Sequence, residues 1–399
     1  MRNLARMTMD IRDLRIIDVD AHITEPADLW TRNAPAAYAD RVPKVVEIDG
    51  ALQWVVDGVP IGRAMGSSVI RRDGEKVPGF GFITWGADDI AVGAYDMTAR
   101  LDVLDELGIW AQVLYPNTAG FGAQRFGEIA DPELRRLCAT LYNDAMVEIQ
   151  EDSGGRLIPM ALMPWWDLDA SIAEVERAAA NGLRGVNMCS DPHLRGVPDL
   201  GERAWDPFWA ACAEHHMPVN FHIGASDTSM TWFGTSPWPS QDDERKLAIG
   251  SAMMYLSNAR ILANLVFSGV LERFPTVKFV SVESGIGWIP FFLESLDYQL
   301  HESAPSVVDT LSMLPSEYFR RQLYGCFWFE NNALQPAIDA LGASQILFET
   351  DYPHPTCLYP DPLPRVEEAI TGIDDTTVRM LLQDNAAALY KVPLPATIG

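Results

Sequence analysis

Four short stretches carry side chains able to do chemistry. The first, Asp18-Val19-Asp20-Ala21-His22, repeats a titratable group every second residue. In an extended strand that period places Asp18, Asp20 and His22 on one side, a spacing that suits two metal ligands on one strand. Phe221-His222-Ile223-Gly224, Val282-Glu283-Ser284-Gly285 and Glu349-Thr350-Asp351-Tyr352-Pro353-His354 each close an apolar run with a titratable residue. Alone, each stretch also has a bland reading. A DxH triplet is common, a single His after a strand often serves as a hydrogen-bonded core residue, and TDYP reads as a turn with Asp351 capping a helix. Their coincidence is more specific: Asp20, His22, His222 and Asp351 all fall where one divalent cation can be reached. Two imidazoles and two carboxylates suit Zn²⁺, and the hard oxygens suit Mn²⁺ as well. Glu283 is expected to act as a general acid or base if desolvation raises its pKa, or else to bind an arginine. His354 follows Asp351 closely enough to meet a bound substrate.

These residues need elements that bring distant strand ends together. Short runs rich in Val, Ile and Phe recur at 15–20, 111–115, 157–161, 185–188, 218–222, 278–283, 323–328 and 345–350. Amphipathic helical patterns at 132–151, 170–180, 207–216 and 375–383 lie between or after them. This strand and helix alternation predicts an α/β fold, one (β/α)8 barrel with insertions in a single domain, whose catalytic face is the C-terminal end of the strands. Two segments break the rhythm. Within 31–95, a run at 52–56, the turn Asp57-Gly58 and a run at 59–61 predict a β-hairpin in a cap inserted after the first strand. The stretch 224–243 holds Trp232, Phe233, Pro237, Trp238 and Pro239 directly after the fifth strand. It is expected to form an aromatic lid that closes the barrel mouth, its apolar wall supplied by Trp232, Phe233 or Trp238, with Trp232 and Trp238 as candidates against substrate. His193, in the loop after the fourth strand, is a further candidate for holding a substrate carboxylate.

Composition narrows the function classes. Thirty basic and fifty-five acidic side chains give a formal charge of −25, which disfavours nucleic acid and anionic membrane surfaces as partners. The apolar run 261–271 is too short for a bilayer span, so no membrane segment is expected. Residues 1–9, with Arg2 and Arg6, lead into Asp10, Arg12 and Asp13 instead of the apolar stretch of a signal peptide, and read as a frayed tail. Five cysteines without a CxxC pair point to reduced thiols and a cytoplasmic location.

The order of these sites, closed by Asn385-Ala386-Ala387-Ala388-Leu389-Tyr390, resembles amidohydrolase-related proteins of the aminocarboxymuconate-semialdehyde decarboxylase type. The resemblance covers about 14–392, the insertion excepted. It implies a distorted barrel holding one zinc or manganese ion through an HxH or ExH pair on strand one, a His on strand five and an Asp on strand eight. Matched motif by motif, those positions are Asp20, His22, His222 and Asp351. The sequence departs from the pattern at Asp20, where His or Glu is usual and Asp18 becomes a rival. It departs again at Glu283, which stands where the decarboxylases usually carry a His. The resemblance implies a metal-dependent decarboxylase of a small aromatic or enoic carboxylic acid, with a homo-oligomer, dimer or larger, as the assembly. Glu283 in place of His keeps a second reading open, a hydrolase of an amide, lactone or C–C bond using metal-activated water. A non-catalytic scaffold is the third reading.

Overall fold

The computed structural model describes residues 9–235 and 238–395; the rest of the predicted frayed tail, and Pro237 of the predicted lid, lie outside them. The strands run in the order β1 (Ile17–His22), β2 (Lys44–Ile48), β3 (Ala51–Val56), β4 (Val59–Arg63), β5 (Ala111–Tyr115), β6 (Leu157–Pro159), β7 (Ala161–Leu162), β8 (Val186–Asn187), β9 (Val219–His222), β10 (Phe279–Val282), β11 (Leu323–Phe327) and β12 (Ile346–Phe348). Strands β1-β5-β6 form one parallel sheet and β7-β8-β9-β10-β11-β12 another. The predicted third strand is shared between them. The Met160 N–H donates to Leu114 of β5, and the next N–H, of Ala161, donates to Gly185 beside β8. The ring closes beyond β12, where the His22 N–H donates to the Tyr352 carbonyl and the Asp351 N–H to the Asp20 carbonyl, each at 2.8 Å. Closure therefore occurs at the residues that carry the chemistry.

The inserted cap is a three-stranded antiparallel sheet, β2-β3-β4. Asp57 and Gly58 turn the β3–β4 hairpin with φ of 50° and 81°, the positive values such a two-residue turn demands. The strand β2, which has no clear alternation, was not anticipated. Helices Pro132–Asp152, Leu168–Ala180 and Asp206–Glu214 match the predicted patterns. The pattern at 375–383 instead breaks into Asp375–Arg379, a π turn over Met380–Asp384, and Asn385–Leu389. The Asn385 amide explains its place in the closing motif: it donates to the carbonyls of Ala343 and Ile346 and so ties this helix to β12. No helix among the described residues is long and apolar enough to cross a membrane. All five cysteines are buried and free.

One departure from strand alternation matters for the site. Between Asp18 and Ala21 the β1–β5 register slips by one residue, since Asp18 faces Gln112 but Ala21 faces Leu114. Such a bulge inverts the side of every later side chain. Ile17 and Val19 pack with Tyr115, Val282 and Cys326, whereas Ala21 packs with Leu104, Leu107 and Leu114 under the helix layer. Asp18, expected beside Asp20 and His22, is thereby separated from them. Its carboxylate accepts from the Asp20 N–H (3.1 Å), the Thr350 N–H (2.8 Å), Gln112 Nε2 (2.7 Å) and Thr350 Oγ1. Gln112 in turn accepts from the buried guanidinium of Arg100, which also donates to the His22 carbonyl at 2.8 Å and covers the Tyr352 ring. Burial pulls the Arg100 pKa down to about 10 and pushes that of Asp18 up to about 6. This network joins β1, β5 and the chain beyond β12. Asp18→Ala should lower the unfolding free energy by about 3 kcal/mol, because buried donors lose their acceptor. Denaturant unfolding checks it; an unchanged midpoint would remove Asp18 from the closure.

Candidate metal centre

At the barrel mouth, donor atoms from four strand ends converge. His222 Nε2 lies 3.0 Å from His22 Nε2, 3.5 Å from Asp20 Oδ1 and 3.2 Å from Glu283 Oε2. His22 Nε2 lies 3.6 Å from both Asp20 Oδ1 and Asp351 Oδ1. Asp20, His22, His222 and Glu283 each offer a donor within 4.8 Å of the others, and so do His22, Glu283, Asp351 and His354. Glu283, expected to move protons or to bind an arginine, belongs to both groups. Two non-glycine residues in this cluster, Glu283 (φ 54°) and Asp351 (φ 59°), have left-handed backbones. That conformation costs of order 1–3 kcal/mol and is typical of functional sites. It takes both residues off the regular course of the strands that precede them.

Ring orientation is set by neighbours. His222 Nδ1 meets the Ile223 carbonyl at 2.6 Å, so Nδ1 carries the proton and the Nε2 lone pair faces the cluster. The Asn117 amide nitrogen is engaged on the Ile23 carbonyl, which leaves its Oδ1 to accept from His354 Nε2 at 2.8 Å. His354 Nδ1 therefore faces Asp351 Oδ1 at 3.2 Å, while its ring stacks on His22 at 3.6 Å. Thr356 Oγ1 donates to the other Asp351 oxygen at 2.8 Å. Phe121 sits 5.0 Å from His22 and 4.6 Å from His222, an apolar wall beside the two imidazoles.

The electrostatics call for a cation. Asp20, His22, His222 and Asp351 are wholly buried, and both Asp20 oxygens and one of Asp351 meet no hydrogen-bond donor. Burial brings His222 down to about 4 and holds His22 well below the usual imidazole range, with His354 and His222 adding to the effect. Both rings are neutral at neutral pH and cannot balance the acids. Burial, reinforced by Asp351, raises Asp20 and Glu283 well above the usual carboxylate range. Neutral imidazoles, acceptor-only oxygens and orphaned buried acids are what a divalent ion requires, so the residues present fit the metal that the resemblance implies.

A cavity of about 340 Å³ opens beside the cluster. Glu283, His354 and Thr356 line it, whereas Asp20, His22, His222 and Asp351 do not. The inserted cap supplies Trp54, Met65, Phe82 and Ile83 to its wall. The predicted substrate contacts are placed differently. His193 lies exposed in the turn Pro192–Arg195, away from the cavity lining. Trp232 and Trp238 are not among the lining residues either, and Trp238 is 52% exposed. The segment is not one long irregular loop. Helix Asp227–Met230, opened by the Ser226–Ser229 capping box, and helix Asp243–Met254 flank its irregular part, and of the three expected aromatics Phe233 lines the cavity, together with Met230. Phe233 packs edge-on against Phe80 of the cap at 5.7 Å. Glu330, near the mouth, accepts from the N–H groups of Ile286, Gly287 and Trp328 and is occupied as a loop clamp. Asn117, Thr356 and Phe121 were not anticipated. Asn117 was open to the rule that barrel strand ends carry function, since it follows β5 by two residues; Phe121 carried no such signal.

Comparison with known proteins agrees with this fold. A 2-amino-3-carboxymuconate-6-semialdehyde decarboxylase from Dictyostelium discoideum is 24% identical over 272 residues, 65% of this chain and 68% of its own. The fold matches an amidohydrolase from Mycobacterium avium subsp. paratuberculosis K-10 with a TM-score of 0.74 at 22% identity, over 95% of this chain and 99% of that one. It also matches a dihydroxybenzoic acid decarboxylase from Polaromonas sp. JS666, solved with manganese and 2-nitroresorcinol, with a TM-score of 0.60 at 18% identity, over 96% and 99% of the two chains. The model of the amidohydrolase family matches residues 85–392, more than half the sequence, and the chain belongs to that family.

Proposed function

We propose that the protein is a metal-dependent decarboxylase of a small aromatic or enoic carboxylic acid. Asp20, His22, His222 and Asp351 are the proposed ligands of one divalent cation, zinc or manganese; the manganese in the Polaromonas relative supports the latter. When bound, the ion supplies a positive charge that holds the substrate carboxylate and an adjacent oxygen. The observation that carries the reading is the division of labour in the cluster. Four of its members are sealed behind the cavity, while Glu283 and His354 reach the cavity wall.

The chain's own residues then have distinct tasks. Glu283, whose proton is favoured by burial and by Asp351 and Asp20, delivers that proton to the carbon that bears the carboxylate. As that C–H bond forms, the C–C bond to the carboxylate breaks and CO₂ leaves, with Glu283 left as the carboxylate. His354, fixed by Asn117 and stacked on His22, orients the acid's oxygen substituent. Asp351, held by Thr356, keeps His354 in place and raises the pKa of Glu283. The apolar wall of Phe121, Phe82 and Phe233 keeps water from competing for the proton.

Purified protein should carry about one metal per chain, and His222→Ala should lower that content at least several-fold while leaving the fold intact. Full occupancy in that variant, measured by elemental analysis, would remove His222 from the ligand set. Glu283→Gln should retain metal and lower kcat by roughly 10²–10⁴-fold, the usual loss for an acid–base group. Near-normal turnover in steady-state assays would leave Glu283 a structural role only. The reaction itself is tested with metal-loaded enzyme and a panel of hydroxybenzoates and muconate-like acids in ¹⁸O-labelled water. CO₂ release with no label in the organic product is the expected result; labelled oxygen in that product would establish a hydrolase.

A further inference from the structure

The cavity extends beyond what a single ring acid needs. An apolar cavity of about 150 Å³ accommodates one benzene, and this one measures about 340 Å³. Besides Glu283, His354 and Thr356, its wall includes Trp54 and Met65, Arg63 on β4 and Arg125 in the segment after β5. Arg125 lies against the cap's sheet. A Cβ built on Gly62 of β4 would stand 2.6 Å from Arg125 Nη1, so the guanidinium occupies the space that a side chain there would fill.

Arg125 has no carboxylate partner among the described residues. Among the described residues, the one hydrogen bond of its guanidinium is a long 3.5 Å contact to the Thr118 carbonyl. The two nearest acids are engaged elsewhere: Glu25 accepts from the N–H groups of Asn117 and Thr118 and from Thr118 Oγ1, and Glu128 pairs with Arg195 at 3.0 Å. Burial lowers the Arg125 pKa, with weaker opposition from those acids. Arg63 likewise makes no ion pair among the described residues and lines the same cavity. Buried charges in proteins are ordinarily paired. The half-buried guanidinium of Arg125 and the more exposed one of Arg63 therefore place on the wall of a largely apolar chamber two cationic groups that no carboxylate among the described residues meets.

We infer that the substrate is about two ring-sized units long, with a second anionic group, remote from the carboxylate that is lost, bound by Arg125 and Arg63. The inference rests on the decarboxylase reading of the site and adds the class of acid: a dianionic, two-unit amphiphile rather than a single-ring monoacid. Arginine suits this role because its planar fork meets a carboxylate with two parallel hydrogen bonds.

Calorimetric titration of the metal-loaded enzyme with biphenyl-para-carboxylate and with para,para′-biphenyl dicarboxylate tests it. The dicarboxylate should bind at least about tenfold tighter, as expected of a charge-assisted pair, and Arg125→Gln should abolish that advantage without weakening the monocarboxylate. Equal affinities in the wild type, or an advantage that survives both Arg125→Gln and Arg63→Gln, would overturn the inference. Arg63→Gln, at an exposed position on the cap, serves alone if Arg125→Gln does not fold, and should then reduce the advantage. The two readings fail separately. The affinity pattern without CO₂ release from any two-unit acid would sink the decarboxylase and keep the anion subsite, whereas CO₂ release from single-ring acids without the pattern would sink the subsite alone.

Discussion

The carboxyl groups of Asp20, Glu283 and Asp351 share a water-poor volume with two imidazoles that burial keeps neutral. Removing an isolated carboxylate from water costs several kcal/mol even after relaxation, and no lysine or arginine pairs with these three acids among the described residues. Without a cation, protons must balance the acids, which is the meaning of the raised pKa values of Asp20 and Glu283. With a divalent ion, Asp20, Asp351 and the two imidazoles become the proposed ligand set. The surrounding structure serves this requirement. Asn117, Thr356 and the Ile223 carbonyl fix the donors, and Phe121 excludes water from beside them.

Holding the acids there demands irregular backbone. The bulge in β1 places Asp20 with His22 while sending Asp18 to the helix side. The left-handed conformations of Glu283 and Asp351 redirect the chain as it leaves β10 and β12. Such geometry persists only where the surroundings over-determine it. Here the Arg100–Gln112–Asp18–Thr350 network supplies that restraint, locking the point where β1 and β12 close the ring. Stability and function thus meet at one seam: Asp18 maintains the closure, and Asp20, two residues on, faces the cluster.

The eight barrel strands were legible because parallel strands buried on both faces read as continuous apolar runs, and all eight fall where the runs at 15–20 through 345–350 stand. The convergence of His22, His222, Glu283 and Asp351 was legible for a related reason, since the ends of barrel strands share one mouth. What failed was local. A one-residue bulge has no signature in Asp-Val-Asp-Ala-His, so strict alternation grouped Asp18 with Asp20. Aromatic content drew attention to Trp232, Phe233 and Trp238, but a helix opening at Ser226 interrupts the stretch, and only Phe233 of the three lines the cavity, beside Met230. His193 has the right chemistry, yet the turn Pro192–Arg195 leaves it in solvent. Arg125 and Arg63 passed unnoticed because their meeting depends on how the cap's sheet lies over the segment after β5, a tertiary contact that no spacing encodes.

The central claim is that a divalent cation neutralises this buried acid cluster. An anomalous-scattering map from crystals grown with manganese tests it most directly. The account predicts one peak per chain among Asp20, His22, His222 and Asp351, about 2.0–2.2 Å from both histidine Nε2 atoms. A map with no peak there, and with the Asp20 and Glu283 carboxyls hydrogen-bonded to each other in its place, would contradict it.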